Sequence, residues 1–149
     1  MGRFLLLIGL LFSTSIFACK CIFQNIEDSF ASNDFVAEIE VIKVYNVDSK
    51  TNEDDRFYKA DIKILKLYKG DIISSILIRG KVDEIYGSAC EIDVKKGEKF
   101  LIYINPKENF GMSSCTRVVG LNNSKIDKER NALESMLIRK RDLDIFKHR

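Results

Sequence analysis

The chain has 149 residues, with 24 Lys and Arg against 22 Asp and Glu, so its net charge at pH 7 is only +2. The length suits one domain with its own core. The balanced charge argues against nucleic acid as a partner, because domains that bind it usually carry a basic stripe or patch. The single histidine, His148, lies next to the C-terminal residue. With no histidine base in the body of the chain, we expect neither an enzyme nor a bound cofactor.

The first 18 residues have the pattern of a secretory signal peptide. Arg3 supplies the positive end, residues 4–12 are almost wholly apolar, and Ala18 puts a small residue at the cleavage site. The apolar run is too short to span a bilayer as a helix, which needs about 20 residues. We therefore expect an exported protein, secreted or periplasmic, whose single domain comprises residues 19–149.

A lipoprotein is the alternative for the same segment. Cys19 directly follows Ala18, where a lipid-attachment cysteine would stand. Phe17 is bulkier than the small residue usual before such a cysteine. The protein would contact a membrane only if Cys19 were lipidated.

The four cysteines are best explained as a disulfide framework. They are Cys19, Cys21, Cys90 and Cys115. A small exported chain commonly uses cysteines in this way, and four of them allow three connectivities. A structural zinc site would require paired Cys-x-x-Cys spacings or histidine partners, which this sequence lacks.

The first half of the mature chain predicts a short helix and then the first strand of a hairpin. Residues 22–33 place apolar side chains at helical spacing. Residues 35–45 alternate, with Ala37, Ile39 and Val41 on one face, as in a half-buried strand. The opposite face carries Glu38 and Glu40, and the polar residues 46–56 suit an exposed connection.

Four further strands follow. Residues 57–68 alternate until Leu65 breaks the phase, which predicts a bulge or bend near Lys66. Residues 72–79 form a third strand, and the nearly continuous apolar run in residues 99–104 indicates a strand that is buried on both faces. Residues 114–119 give a short last strand that holds Cys115.

The period becomes helical at about residue 124 and stays so to about 147. Ser124 is a candidate N-cap, and one face is apolar along the whole length: Ile126, Leu133, Met136, Leu137, Leu143 and Phe146. Five short strands before a terminal helix predict an all-β class with flanking helices. A five-stranded OB-fold barrel is the natural candidate, because closure removes exposed strand edges.

Several of these segments resemble the N-terminal, netrin-like domain of the tissue inhibitors of metalloproteinases. The resemblance covers about residues 19–119 and rests mainly on the Cys-x-Cys start at Cys19. Weaker matches are the passage from a helix into a strand at residues 30–36, the Tyr-Lys-Gly turn at residues 68–70, Ser-Ala-Cys at residues 88–90, the start of the strand at residues 97–101 and the late Cys115.

The resemblance implies a disulfide pairing and an inhibitory mechanism. The bridges would be Cys19–Cys90 and Cys21–Cys115. The backbone amine and carbonyl of Cys19 would bind the catalytic zinc of a target metalloproteinase, and Lys20 would enter its specificity pocket. The rest of the inhibitory ridge would consist of Cys21, Ile22, Ser88, Ala89 and Cys90. A netrin-like binding module without inhibitory activity, soluble or lipid-anchored, is the alternative function.

Overall fold

The computed structural model describes Cys21 and residues 24–46, 57–80, 91–106 and 111–147, apart from the side chains of residues 143–145 and 147. Two helices and five strands make up this part of the chain. In chain order they are α1 (Ile26–Ser32), β1 (Phe35–Asn46), β2 (Phe57–Lys69), β3 (Ser75–Arg79), β4 (Lys99–Ile104), β5 (Val118–Gly120) and α2 (Ile126–Lys147). The β-rich class with flanking helices is confirmed.

The strands form one antiparallel sheet in the order β3-β2-β1-β4-β5. Just before β5, Met112 makes a parallel bridge to Ile78 on β3, the strand at the opposite edge. The amide of Arg79 donates to the carbonyl of Met112 at 2.8 Å, and the amide of Met112 donates to the carbonyl of Leu77 at 2.9 Å. This contact joins β3 to the segment that leads into β5 without continuous strand pairing, so in the described residues the sheet is not a closed barrel.

Each face of the sheet has its own hydrophobic cluster. The larger cluster contains Phe35, Ala37, Ile39 and Val41 of β1 together with inward side chains of β2, β3 and β4. The smaller one lies under α2 and contains Val36, Tyr68, Leu101, Tyr103, Ile126 and Leu133. The helix therefore covers one face of the sheet, and the first half of β1 runs between two apolar layers.

The predicted bulge in β2 is confirmed at Leu65. Lys66 pairs with Glu38 and Ile64 pairs with Ile39, so Leu65 has no partner in the register. An extra residue shifts the side-chain alternation by one position. Tyr58, Ala60 and Ile62 lie in the larger cluster, whereas Tyr68 lies on the α2 side.

The prediction for β1 is only half right. Ala37, Ile39 and Val41 are buried as expected, but Glu38 is also buried, with 4% of its surface exposed. Its face of the strand is covered by α2, which the alternation alone did not reveal. The run in β4 was interpreted correctly, because Leu101, Ile102, Tyr103 and Ile104 are all buried.

Two strand boundaries differ from the predictions. The third strand begins at Ser75, and Ile72, expected inside it, is 84% exposed. The last strand is Val118–Gly120, so Cys115 lies in the turn before the strand. In that turn the amide of Thr116 donates to the carbonyl of Ser113 at 3.0 Å, which is incompatible with an extended chain.

The long helix begins close to the predicted residue but packs along only part of its length. Asn123, not Ser124, accepts a hydrogen bond through its side chain, from the amide of Lys125 at 2.9 Å. Ile126 and Leu133 are buried, and Met136 and Leu137 pack partly against them. Phe146 is 75% exposed, so the apolar face predicted along the whole helix is not buried near its end. Leu143, predicted on the same face, lies outside the described side chains.

Candidate functional site

The candidate site is the N-terminal segment, because the sequence predicts that the mature chain begins two residues before Cys21. Cys21 forms a disulfide with Cys115, with 5.0 Å between the α-carbons and a sequence separation of 94. This pairing is the one that the resemblance implied. The other implied bridge, Cys19–Cys90, lies outside the described residues, as do Lys20, Ile22, Ser88 and Ala89.

Cys115 lies in a tightly hydrogen-bonded turn. The Ser113 amide donates to Thr116 Oγ1 at 2.9 Å, and the Cys115 amide donates to Ser113 Oγ at 3.3 Å. Just before the turn, a Cβ on Gly111 would overlap the carbonyl oxygen of Leu77, so only glycine allows this close approach to β3. The half-cystine that holds Cys21 is therefore attached to the sheet through a short, well-supported turn.

Gln24 and Asn25 immediately precede α1 in the chain. The Asn25 side chain accepts from the amide of Asp28 at 2.7 Å, which caps the helix. The side chain of Gln24 accepts from Ser32 Oγ at 3.0 Å, and its backbone carbonyl accepts from Arg117 Nη1 at 2.9 Å. The segment is thus held at Cys21 by a covalent bond and at Gln24 by hydrogen bonds.

Arg117 belongs to a network that reaches α2. Its Nε donates to Glu129 Oε2 at 3.2 Å, and its Nη2 donates to Glu129 Oε1. Glu129 is only 4% exposed and also accepts from the Tyr103 hydroxyl at 2.8 Å. The guanidinium lies over the Tyr103 ring, 5.7 Å from its centroid. Burial raises the pKa of Tyr103 well above its usual range, so the hydroxyl remains a donor to Glu129.

A second network of the same composition joins α2 to β1. Arg130 donates to both carboxylate oxygens of Glu38, from Nε and from Nη2, each at 2.7 Å. The Tyr68 hydroxyl donates to Glu38 Oε1 at 2.8 Å. The hydrogen bonds from Arg130 hold the pKa of Glu38 below its usual value despite burial. This network satisfies the buried carboxylate of Glu38 and attaches α2 to β1.

Two of the segments that carry the family resemblance contact each other. Lys69 Nζ donates to the carbonyls of Phe30 and Ala31, at 2.8 and 3.1 Å, and so satisfies the end of α1. Gly70 has φ +96°, and a Cβ there would lie 2.6 Å from the carbonyl oxygen of Asp34. The turn after β2 therefore fixes the path from α1 into β1.

Arg117 and Glu129 were missed by the sequence analysis, although a signal was present. Glu129 lies three residues after Ile126 and four before Leu133, so it falls on the predicted apolar face of the helix. A carboxylate on a packed face needs a buried partner. That requirement indicates an ion pair, but it does not identify Arg117.

Neither a metal centre nor a membrane span is found in the described ranges. No group of three or more His, Cys, Asp or Glu side chains there could hold a metal ion. No helix in the same ranges is both long and apolar enough to cross a membrane.

The chain was compared with protein-family models and with curated proteins, and neither comparison finds a match.

Proposed function

We propose that the mature protein is an exported inhibitor of zinc metalloproteinases. In this proposal the free amine and the carbonyl of Cys19 bind the catalytic zinc of the protease. The observation that carries it is the Cys21–Cys115 disulfide, which attaches the chain to the sheet two residues after the predicted terminus. The family resemblance of the Cys-x-Cys start supports the same mechanism.

Covalent geometry limits how far the terminus can stray from this anchor. A residue spans at most about 3.6 Å of extended chain, so the α-carbon of Cys19 lies within about 7 Å of that of Cys21. A short tether keeps the two chelating atoms close to a rigid support and lowers the entropy lost on binding. This is the property that a backbone chelator needs.

The chemistry of the target suits such a ligand. A catalytic zinc keeps one coordination position for water or substrate, and an amine together with a neighbouring carbonyl can displace that water. An α-amino group has a pKa of about 8, so a modest effect of the zinc is enough to deprotonate it. Inhibition then involves no zinc held by the inhibitor itself.

The second residue sets the preference for a target. Lys20 would enter the specificity pocket of the protease, with the ridge residues Cys21, Ile22, Ser88, Ala89 and Cys90 beside it. An apolar pocket would have to desolvate the ammonium group, which is costly. The preferred targets are therefore proteases whose specificity pocket is acidic or open to water.

A five-stranded OB-type barrel is part of the same proposal. It is supported by the strand order β3-β2-β1-β4-β5 and by the parallel bridge from Ile78 to Met112. Bulges in the β1–β2 pairing, such as that at Leu65, support it too, because strongly coiled strands need them.

The decisive experiment blocks the amine without changing the fold. The exported protein is first sequenced from its N-terminus and weighed intact, and we expect Cys19 as the first residue with no added mass. It is then assayed against a panel of zinc metalloproteinases beside two variants. One carries an extra alanine before Cys19, and the matched control carries an extra alanine after Arg149.

We expect the N-terminal alanine to weaken inhibition at least 100-fold and the C-terminal alanine to leave it unchanged. Equal inhibition by all three proteins would exclude the chelation mechanism. An acyl group on Cys19, or no inhibition of any protease in the panel, would instead favour a non-inhibitory binding module.

A further inference from the structure

The guanidinium of Arg117 connects the N-terminal segment to the C-terminal helix. One of its nitrogens, Nη1, donates to the carbonyl of Gln24, while Nε and Nη2 both donate to Glu129 on α2. Arg117 also follows Cys115, the disulfide partner of Cys21, by two residues. The same stretch of chain thus provides both attachments of the N-terminal segment.

We infer that Arg117 is a positioning residue for the inhibitory terminus and that Glu129 holds it in place. The inference rests on the proposed function and adds a role for α2. The disulfide fixes the position of Cys21 but leaves rotation about its own bonds. The hydrogen bond at Gln24, three residues later, gives the segment a second fixed point. The disulfide and this hydrogen bond together restrain the backbone at two places close to the predicted terminus.

Glu129 is suited to this role because its carboxylate is buried and hydrogen-bonded through both oxygens. It accepts two hydrogen bonds from Arg117 and one from the Tyr103 hydroxyl. Charge-assisted pairs of this bidentate kind are strong and have a defined geometry. With Nε and Nη2 fixed on Glu129, Nη1 is directed at the carbonyl of Gln24.

The second Tyr-Glu-Arg network offers a matched control. Arg130 makes the same bidentate contact, but with Glu38 on β1, and its other recorded ion pair is with Asp127 on its own helix at 4.0 Å. The two arginine side chains are similarly accessible, 26% exposed for Arg117 and 36% for Arg130. Both networks attach α2 to the sheet, whereas the Arg117 network also contacts Gln24.

The test compares R117K with R130K in the exported, oxidised protein. Lysine keeps the charge, but one ammonium group cannot reproduce the forked geometry that serves Glu129 and Gln24 together. Amide hydrogen exchange reports on the segment through Asp28 and Ser29, whose amides donate to the Asn25 side chain and carbonyl. Inhibition constants against a sensitive zinc metalloproteinase form the second readout, and urea unfolding gives the stability of each variant.

We expect R117K to speed exchange at these amides and to weaken inhibition, each by about tenfold, as for the loss of one charge-assisted hydrogen bond. R130K should change the exchange rate and the inhibition constant by less than twofold each. We expect this even if R130K lowers the free energy of unfolding as much as R117K does. Equal effects of the two variants on exchange would overturn the inference, because they would reflect only the loosening of α2.

A second pair of variants, E129Q and E38Q, tests the partner carboxylates in the same way. If E129Q does not fold, the lysine pair alone decides the question. The exchange measurement uses no protease and therefore remains decisive if the inhibitory function itself is excluded. If exchange responds only to R117K while inhibition responds to neither variant, the restraint at Gln24 has no bearing on binding, and the inhibitory role of Arg117 is rejected.

Discussion

Glu38 on β1 and Arg130 on α2 lie 92 residues apart in the chain and are joined by two hydrogen bonds of 2.7 Å. The carboxylate is almost inaccessible to solvent and also accepts from the Tyr68 hydroxyl at 2.8 Å. A buried carboxylate remains charged only when it is paired and hydrogen-bonded in this way. The pair therefore makes the packing of α2 depend on the ionisation of Glu38.

The first prediction concerns stability in acid. Hydrogen bonds from Arg130 lower the pKa of Glu38 in the folded state, so the unfolded chain binds its proton more readily. The stabilising effect is then complete above the unfolded pKa of about 4.3 and is lost as the pH falls through the lower folded pKa. We expect the difference in unfolding free energy between the natural protein and E38Q to shrink steadily below about pH 4.5. Urea unfolding between pH 7 and pH 3 measures it.

At pH 7 the E38Q substitution should destabilise the protein by about 1 to 3 kcal/mol, because one partner of a partly buried pair is left without its charge. A difference that stays constant from pH 7 to pH 3 would show that the pair does not titrate with folding.

The second prediction concerns the Cys21–Cys115 disulfide. Its loop spans 94 residues, and the chain-entropy treatment gives a stabilisation of about 4 to 5 kcal/mol for a loop of that size. We expect the double variant C21S/C115S to have a free energy of unfolding lower by most of that amount, measured by urea unfolding at pH 7. An unchanged unfolding midpoint would show that closing this loop does not measurably stabilise the fold.

The third prediction contrasts two glycines close together in the chain. A Cβ on Gly111 would overlap the carbonyl oxygen of Leu77, whereas a Cβ on Gly120 would meet nothing within 4 Å. We expect G111A to destabilise the protein by about 1 to 3 kcal/mol through forced movement of the backbone next to β3. G120A should be neutral or slightly stabilising, because alanine loses less entropy than glycine in a strand. Equal thermal midpoints for the two variants would contradict the close approach of Gly111 to Leu77 beside the Ile78–Met112 bridge.

Local patterns in the sequence predicted those parts of the fold that depend on neighbouring residues. The phase break at Leu65 and the apolar run of β4 are both visible within a few residues, and both predictions were correct. Glu38 was placed on a solvent face because alternation reports only that two faces differ. The cover over that face comes from α2, whose Arg130 is far away in the sequence.

In the candidate site, too, local features could be predicted from the sequence and tertiary contacts could not. A half-cystine at Cys21 could be recognised from its spacing, and its pairing with Cys115 came from the resemblance. The sequence could not predict that Arg117 donates to both Gln24 and Glu129, because these two residues approach it from opposite ends of the chain. Contacts of this kind are set by tertiary packing and not by local propensity.

The last prediction concerns the burial of α2, which decreases towards the C-terminal end of the helix. Leu133 is fully buried between the helix and the sheet, whereas Phe146 is 75% exposed, although both were predicted on one apolar face. From Ile138 to Asp142 the side chains are also exposed, so the helix extends beyond the surface that it covers. We expect L133A to cost about 2 to 5 kcal/mol, since it leaves a cavity under the helix, and F146S to change stability by less than about 0.5 kcal/mol. Chemical unfolding of the two variants measures both values, and a loss for F146S as large as that for L133A would mean that the end of the helix packs in solution after all.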